Sequence, residues 1–177
     1  MKTIKAAAIA VTGLMLAGCT ATIPIEYTPS STLSAAGAVK VGDFAYEPAL
    51  RGKMKPNQIH NTAMGTVLLD KNIDLFYRNA VFTELRFVGV KVGTGDKNLT
   101  GDIKDFLIDD LGYSVDWSID VDYKITDASG ATIYESDKAT KSHTAKFANA
   151  LGALQQQMKF NIEALINDPD FIKAINQ

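Results

Sequence analysis

Ser114-Val115-Asp116-Trp117-Ser118-Ile119-Asp120-Val121-Asp122-Tyr123-Lys124-Ile125 alternates polar and apolar residues along its whole length. Successive side chains of a strand point to opposite faces. This period of two therefore buries Val115, Trp117, Ile119, Val121, Tyr123 and Ile125 and leaves the residues between them in water. A strand with one dry and one wet face belongs to an antiparallel sheet covered on one side, as in a two-layer α+β domain. Trp117 falls in the dry row and reads as core. Upstream, Phe106 and Ile108 lie two apart, Asp109-Asp110-Leu111-Gly112 supplies a turn, and Tyr113 just beyond it reads as surface. Downstream, Asp127-Ala128-Ser129-Gly130 turns the chain into a further strand with Ile133 and Tyr134.

The covering layer is legible as helices. Asp70 is placed to cap a helix over about 72–87, whose Ile73, Phe76, Tyr77, Ala80, Phe82 and Leu85 spread over a wide apolar face. Val88, Val90 and Val92 then switch the period to two before the turn at Gly93-Thr94-Gly95. A second helix is expected over about 145–166, from Phe147, Leu151, Leu154, Met158, Ile162 and Leu165. Asp168-Pro169 opens a short C-terminal helix docked by Phe171, Ile172 and Ile175. Nearer the start, Val39, Val41 and Phe44 suggest a first strand. Ala45–Met64, with Pro48, Gly52 and Pro56, reads as an unusually long connection. The expectation is a mostly antiparallel sheet of about five or six strands packed on two helices plus the short C-terminal one, with 39–177 as a single domain.

Ahead of it, Lys2 and Lys5, the apolar run Ala6–Leu16 and the small pair Ala17-Gly18 have the order of a secretory signal over 1–18. The apolar run is about half the roughly 20 residues that span a bilayer, which argues against a permanent transmembrane helix. Residues 19–38 are rich in Thr, Ser, Ala and Pro and read as a flexible linker. As a coil it spans roughly 25 Å, and fully stretched about 60 Å. Ile23, Ile25 and Tyr27 alternate and are suited to a sheet edge. The chain holds 18 Lys and Arg against 20 Asp and Glu, and two of the lysines lie in the signal. The acidic remainder has no global field for nucleic acid.

Chemistry is sparse. The chain has one cysteine, Cys19, and two histidines, His60 and His143, neither with a second histidine at a metal-ligand spacing. Asp116, Asp120 and Asp122, with Asp102, Asp105, Asp109 and Asp110 nearby, suggest calcium. Alternate residues on a strand sit about 6 to 7 Å apart, too far for most of them to share one ion, so a solvated sheet face is the preferred reading. Ser142, His143 and Asp137 contain the residue types of a hydrolase. Adjacent strand residues point to opposite faces, however, and no Gly-x-Ser-x-Gly elbow is present. No catalytic residue, metal or cofactor is assigned. Arg51, Lys53 and Lys55, with His60 near them, are the one basic cluster, suited to a lipid phosphate or an acidic partner.

Leu16-Ala17-Gly18-Cys19 resembles the lipobox of bacterial lipoproteins. The resemblance implies a Cys19 lipidated on sulfur (with palmitate-type chains) that becomes the first mature residue, and Thr20 behind it resembles outer-membrane sorting. With Arg78-Asn79-Ala80-Val81-Phe82-Thr83-Glu84-Leu85, Phe106–Tyr113 and Asp170-Phe171-Ile172, the chain is similar to the YajG-like small lipoproteins of Gram-negative bacteria. More loosely, it is similar to the auxiliary lipoproteins of envelope ABC transport systems. The resemblance implies a non-enzymatic accessory domain, anchored in the outer membrane by Cys19, lying in the periplasm and binding an envelope protein. A lipid or small-ligand carrier with a cavity between sheet and helices is the alternative.

Overall fold

The computed structural model describes residues 22–62, 66–146 and 149–177. In chain order they form β1 (Thr22–Ile23), β2 (Ala38–Tyr46), α1 (Glu47–Leu50), β3 (Gln58–Asn61), β4 (Val67–Leu69), α2 (Ile73–Phe87), β5 (Lys91–Val92), β6 (Asn98–Asp109), β7 (Ser114–Thr126), β8 (Thr132–Ala145), α3 (Ala150–Ile166) and α4 (Pro169–Asn176). The alternating stretch is β7, flanked antiparallel by β6 and β8. All six of its expected inward residues are buried, Trp117 among them, whereas Tyr113 is fully exposed.

The sheet differs from expectation in size and sense. It has eight strands and is mixed. β2 and β3 both run parallel to β6 and share one of its sides, β2 against Asn98–Ile103 and β3 against Leu107–Ile108. Within the long connection, the single turn α1 and the strand β3 make this possible, carrying the chain along β6 to resume pairing further on. β5 adds parallel to β2, β4 antiparallel to β3 and β1 parallel to β4. Such parallel pairings join segments far apart in the chain and leave no local turn signature.

β6 contains the irregularity that lets one strand serve two registers. Ile103 pairs with Val121 and Asp105 with Asp120, so Lys104 is an extra residue. A bulge of one residue reverses the side-chain parity beyond it. Leu99 and Ile103 before it and Phe106 and Ile108 after it thus all reach the same buried side. β2 shifts register between Val41 and Phe44, and Arg78 of α2 covers the spot by donating to Gly42 O and Val41 O at 2.7 and 3.0 Å. Gly101 is required where Phe44 crosses: a Cβ there would lie 2.3 Å from the ring.

α2 begins at Ile73, close to the expected 72. α3 begins at Ala150, since the chain up to Ala145 remains strand. Leu154, Met158, Ile162 and Leu165 are buried as expected, but Leu151 is partly exposed, and Phe147 lies outside the described residues. Asn149 and Asp168 cap α3 and α4 by accepting from Gly152 N and Asp170 N. Burial pushes the Asp168 carboxyl up, but hydrogen bonds from Lys138 Nζ (2.6 Å) and Tyr134 Oη (2.8 Å) outweigh it and hold the group at about 2. Among the described residues no helix is long and apolar enough to cross a membrane.

The segment expected to be a flexible linker is packed from Thr22 onward. Ile25 and Ser31 are buried. Glu84 of α2, wholly buried, accepts from Tyr27 Oη at 2.5 Å, Ser31 N at 2.6 Å and Ser30 N at 3.2 Å. Ser31 Oγ reaches Glu163 of α3, Ala35 N donates to Val88 O, and Asn176 of α4 donates to Ala36 O. The segment is a strap across the helices. Cys19 lies outside the described residues.

Candidate functional site

Both long helices lie on one face of the sheet, so the other face is open. Strand pairing sets its rows: Asp109, Asp116 and His143; Leu107, Ser118 and Lys141; Asp105, Asp120 and Ala139; Asp102, Asp122 and Asp137. Carboxylates dominate and are answered by a few cations. Lys104, which the bulge leaves on the open face together with Asp105, lies 2.7 Å from Asp122 and 3.7 Å from Asp137. His143 Nδ1 lies 2.6 Å from Asp116 and His60 Nδ1 3.2 Å from Asp105.

One carboxylate is poorly served. Asp120 Oδ1 is buried without a hydrogen-bond partner. Burial first, and then the neighbouring Asp137, raise its carboxyl to about 6 against the opposing pull of Lys104. At the end of this face Leu107, Asp109, Asp116, Ser118, Lys141 and His143 line an open depression of about 520 Å³. Thr62 Oγ1 donates to Asp109 at 2.7 Å, and this bond and the Leu111 amide hold that carboxyl below its usual range. Among the described residues no three His, Cys, Asp or Glu side chains are grouped to hold a metal ion. The arrangement is an open depression that Leu107 shares with these charged and hydroxyl side chains.

Ser142 and His143 diverge, as their adjacency requires. Ser142 Oγ donates to Gln157 on the helix side, while His143 meets Asp116 on the open side. Nucleophile and base are not brought together. Of the basic cluster, Arg51, Lys53 and Lys55 share the loop after α1, held by Lys53 N and Met54 N donating to Pro48 O. Arg51 pairs with Glu47 one helical turn earlier, and Lys53 and Lys55 are exposed. His60 stands apart on β3 against its carboxylate.

Sequence reasoning missed a polar layer under β8. The helix-facing row of that strand is Tyr134, Ser136, Lys138, Thr140, Ser142 and Thr144, and α3 answers it with buried Gln157 and Asn161. Asn161 Oδ1 accepts from Tyr77 Oη at 2.8 Å and Tyr123 Oη at 2.9 Å, and its Nδ2 donates to Ile119 O and Lys138 O. Burial raises both tyrosines above their usual range. The one available signal was β8 itself, a strand whose large apolar side chains, Ile133 and Tyr134, stand only at its start, so that neither face carries an apolar row.

No protein-family model matches the chain, and no curated protein matches it. Solved structures do. Protein XCC0632 from Xanthomonas campestris, of family DUF330, is 9% identical with a TM-score of 0.56, covering 88% of this chain and 93% of its own. Hypothetical protein CT253 from Chlamydia trachomatis is 11% identical with a TM-score of 0.52, covering 79% and 99%. The lipoprotein GNA1162 from Neisseria meningitidis is 8% identical, covering 75% and 99%, at a TM-score of 0.35. At these identities the likeness to the first two is one of fold.

Proposed function

We propose that this chain is a non-enzymatic envelope lipoprotein, tethered to the outer membrane through Cys19, whose α+β domain serves in the periplasm as an accessory domain docking onto an envelope protein. Residues 1–18 are its signal peptide. The observation that carries this is Leu16-Ala17-Gly18-Cys19, a small-residue approach that ends on the only cysteine of the chain, three positions before the first described strand. Two or three acyl chains on one residue give stable anchoring where one is marginal.

The packed strap adds a geometric consequence. Three residue steps cover at most about 10 Å, so an acylated Cys19 holds β1 close to the bilayer. The adaptor role is supported by the open sheet face and the exposed cations of Arg51, Lys53 and Lys55. The carrier alternative draws less support, because the space between sheet and helices is filled by Leu99, Ile103, Phe106, Ile119, Met158 and Ile162, all wholly buried.

Intact-mass measurement of the protein from native membranes tests the anchor. The expected product starts at Cys19 and carries acyl chains, and Cys19→Ser abolishes both the acyl mass and membrane retention. An unacylated chain beginning beyond residue 19 would refute the proposal.

A further inference from the structure

β8 is a margin of the sheet. β7 pairs with one of its sides and no described strand with the other, along 14 residues. An unpaired edge of this length is a template for another strand. Its residues on the open face are Ile133, Glu135, Asp137, Ala139, Lys141, His143 and Ala145, so two acids precede Ala139 and two bases follow it.

That order is self-complementary. With Ala139 opposite the Ala139 of a second antiparallel copy, Asp137 faces Lys141 and Glu135 faces His143 on both sides of a two-fold axis. Opposite charges across a strand pair stabilise it, and like charges destabilise it. A shift of two residues leaves a single opposite-charge pairing in place of these two, Asp137 with His143 one way and Glu135 with Lys141 the other, and a parallel in-register pair sets every charge beside its own kind. The helix-facing row raises no conflict in the antiparallel register, since Lys138 faces Thr140, Ser136 faces Ser142 and Tyr134 faces Thr144.

We propose that β8 is a homodimerisation edge that pairs antiparallel with the β8 of a second copy about an axis through Ala139, fusing two sheets into one. The interface is isologous, the commonest closed arrangement, and it removes the longest exposed edge in the fold. β1 lies at a different margin of the sheet from β8. The pairing is independent of acylation at Cys19.

The test uses the full chain extracted in a mild non-ionic detergent, with its mass followed by sedimentation equilibrium from about 1 to 100 µM. A dimer is expected. Lys141→Glu faces Asp137 with a like charge twice per interface and is expected to weaken the dimer at least tenfold, as is Asp137→Lys. The two together exchange the charges and are expected to restore it, which a merely misfolded variant does not do. In membranes, Ala139→Cys is expected to crosslink with a short bis-maleimide, and Ser129→Cys in the distant β7–β8 turn is not. A monomer across the whole range, or a dimer indifferent to both single reversals, overturns the proposal. A dimer that crosslinks through position 129 rather than 139 does so as well.

Discussion

Asp120 is the residue at which folding works against its own chemistry. A carboxyl raised to about 6 in the folded chain is ionised more readily when unfolded, so its charge costs stability above pH 6. That cost is relieved as pH falls from 6 towards 4, where the group is protonated in the folded state. Asp120→Asn is expected to raise stability at pH 7.5 by under about 1 kcal/mol, the scale of a solvent-screened pair. Near pH 4 the gain is expected to vanish. Thermal unfolding at the two pH values measures it, and an equal gain at both would remove charge as the cause.

At the scale of elements, the strap over residues 22–37 and helix α2 depend on one another through Glu84. A buried carboxylate accepting two backbone amides and a tyrosine hydroxyl satisfies three donors that have no other acceptor in this segment. Burial, and next Glu84, raise the Tyr27 hydroxyl above its usual range, which keeps it a donor. Glu84→Ala leaves those donors unmet and is expected to cost about 2 kcal/mol in urea unfolding. Limited proteolysis is expected to cut the variant first within the strap. Unchanged protection there would mean that Ile25 and the β1–β4 pairing hold the segment unaided.

At the scale of the whole molecule, charge is partitioned. The open sheet face is mostly acidic, and Arg51, Lys53 and Lys55 project from the loop between β2 and β3. A partner reading both must be of mixed charge, or must choose one. If the loop is the docking element, Arg51→Glu with Lys53→Glu is expected to lower recovery of a crosslinked envelope protein severalfold, and raising salt from about 0.05 to 0.3 M is expected to weaken recovery of the wild type. Recovery that responds to neither assigns docking to another surface.

Much of this fold could be read directly from residue order. The alternation of β7, the apolar face of α2, and Asp168-Pro169 at the head of α4 are local periodicities and caps, which act between neighbours in the chain. Of the proposed site, Cys19, which lies outside the described residues, and the cations after α1 rest on residue type and spacing alone. Tertiary structure alone decided the rest. The parallel placement of β2 and β3 along β6, the ion pair of Lys104 with Asp122, the strap on Glu84 and the Asn161 layer beneath β8 all join groups well apart in the chain. Buried donors, acceptors and charges take whichever partner the packed chain brings within reach, and a period of two or of 3.6 records the face a side chain occupies, never the partner it finds there.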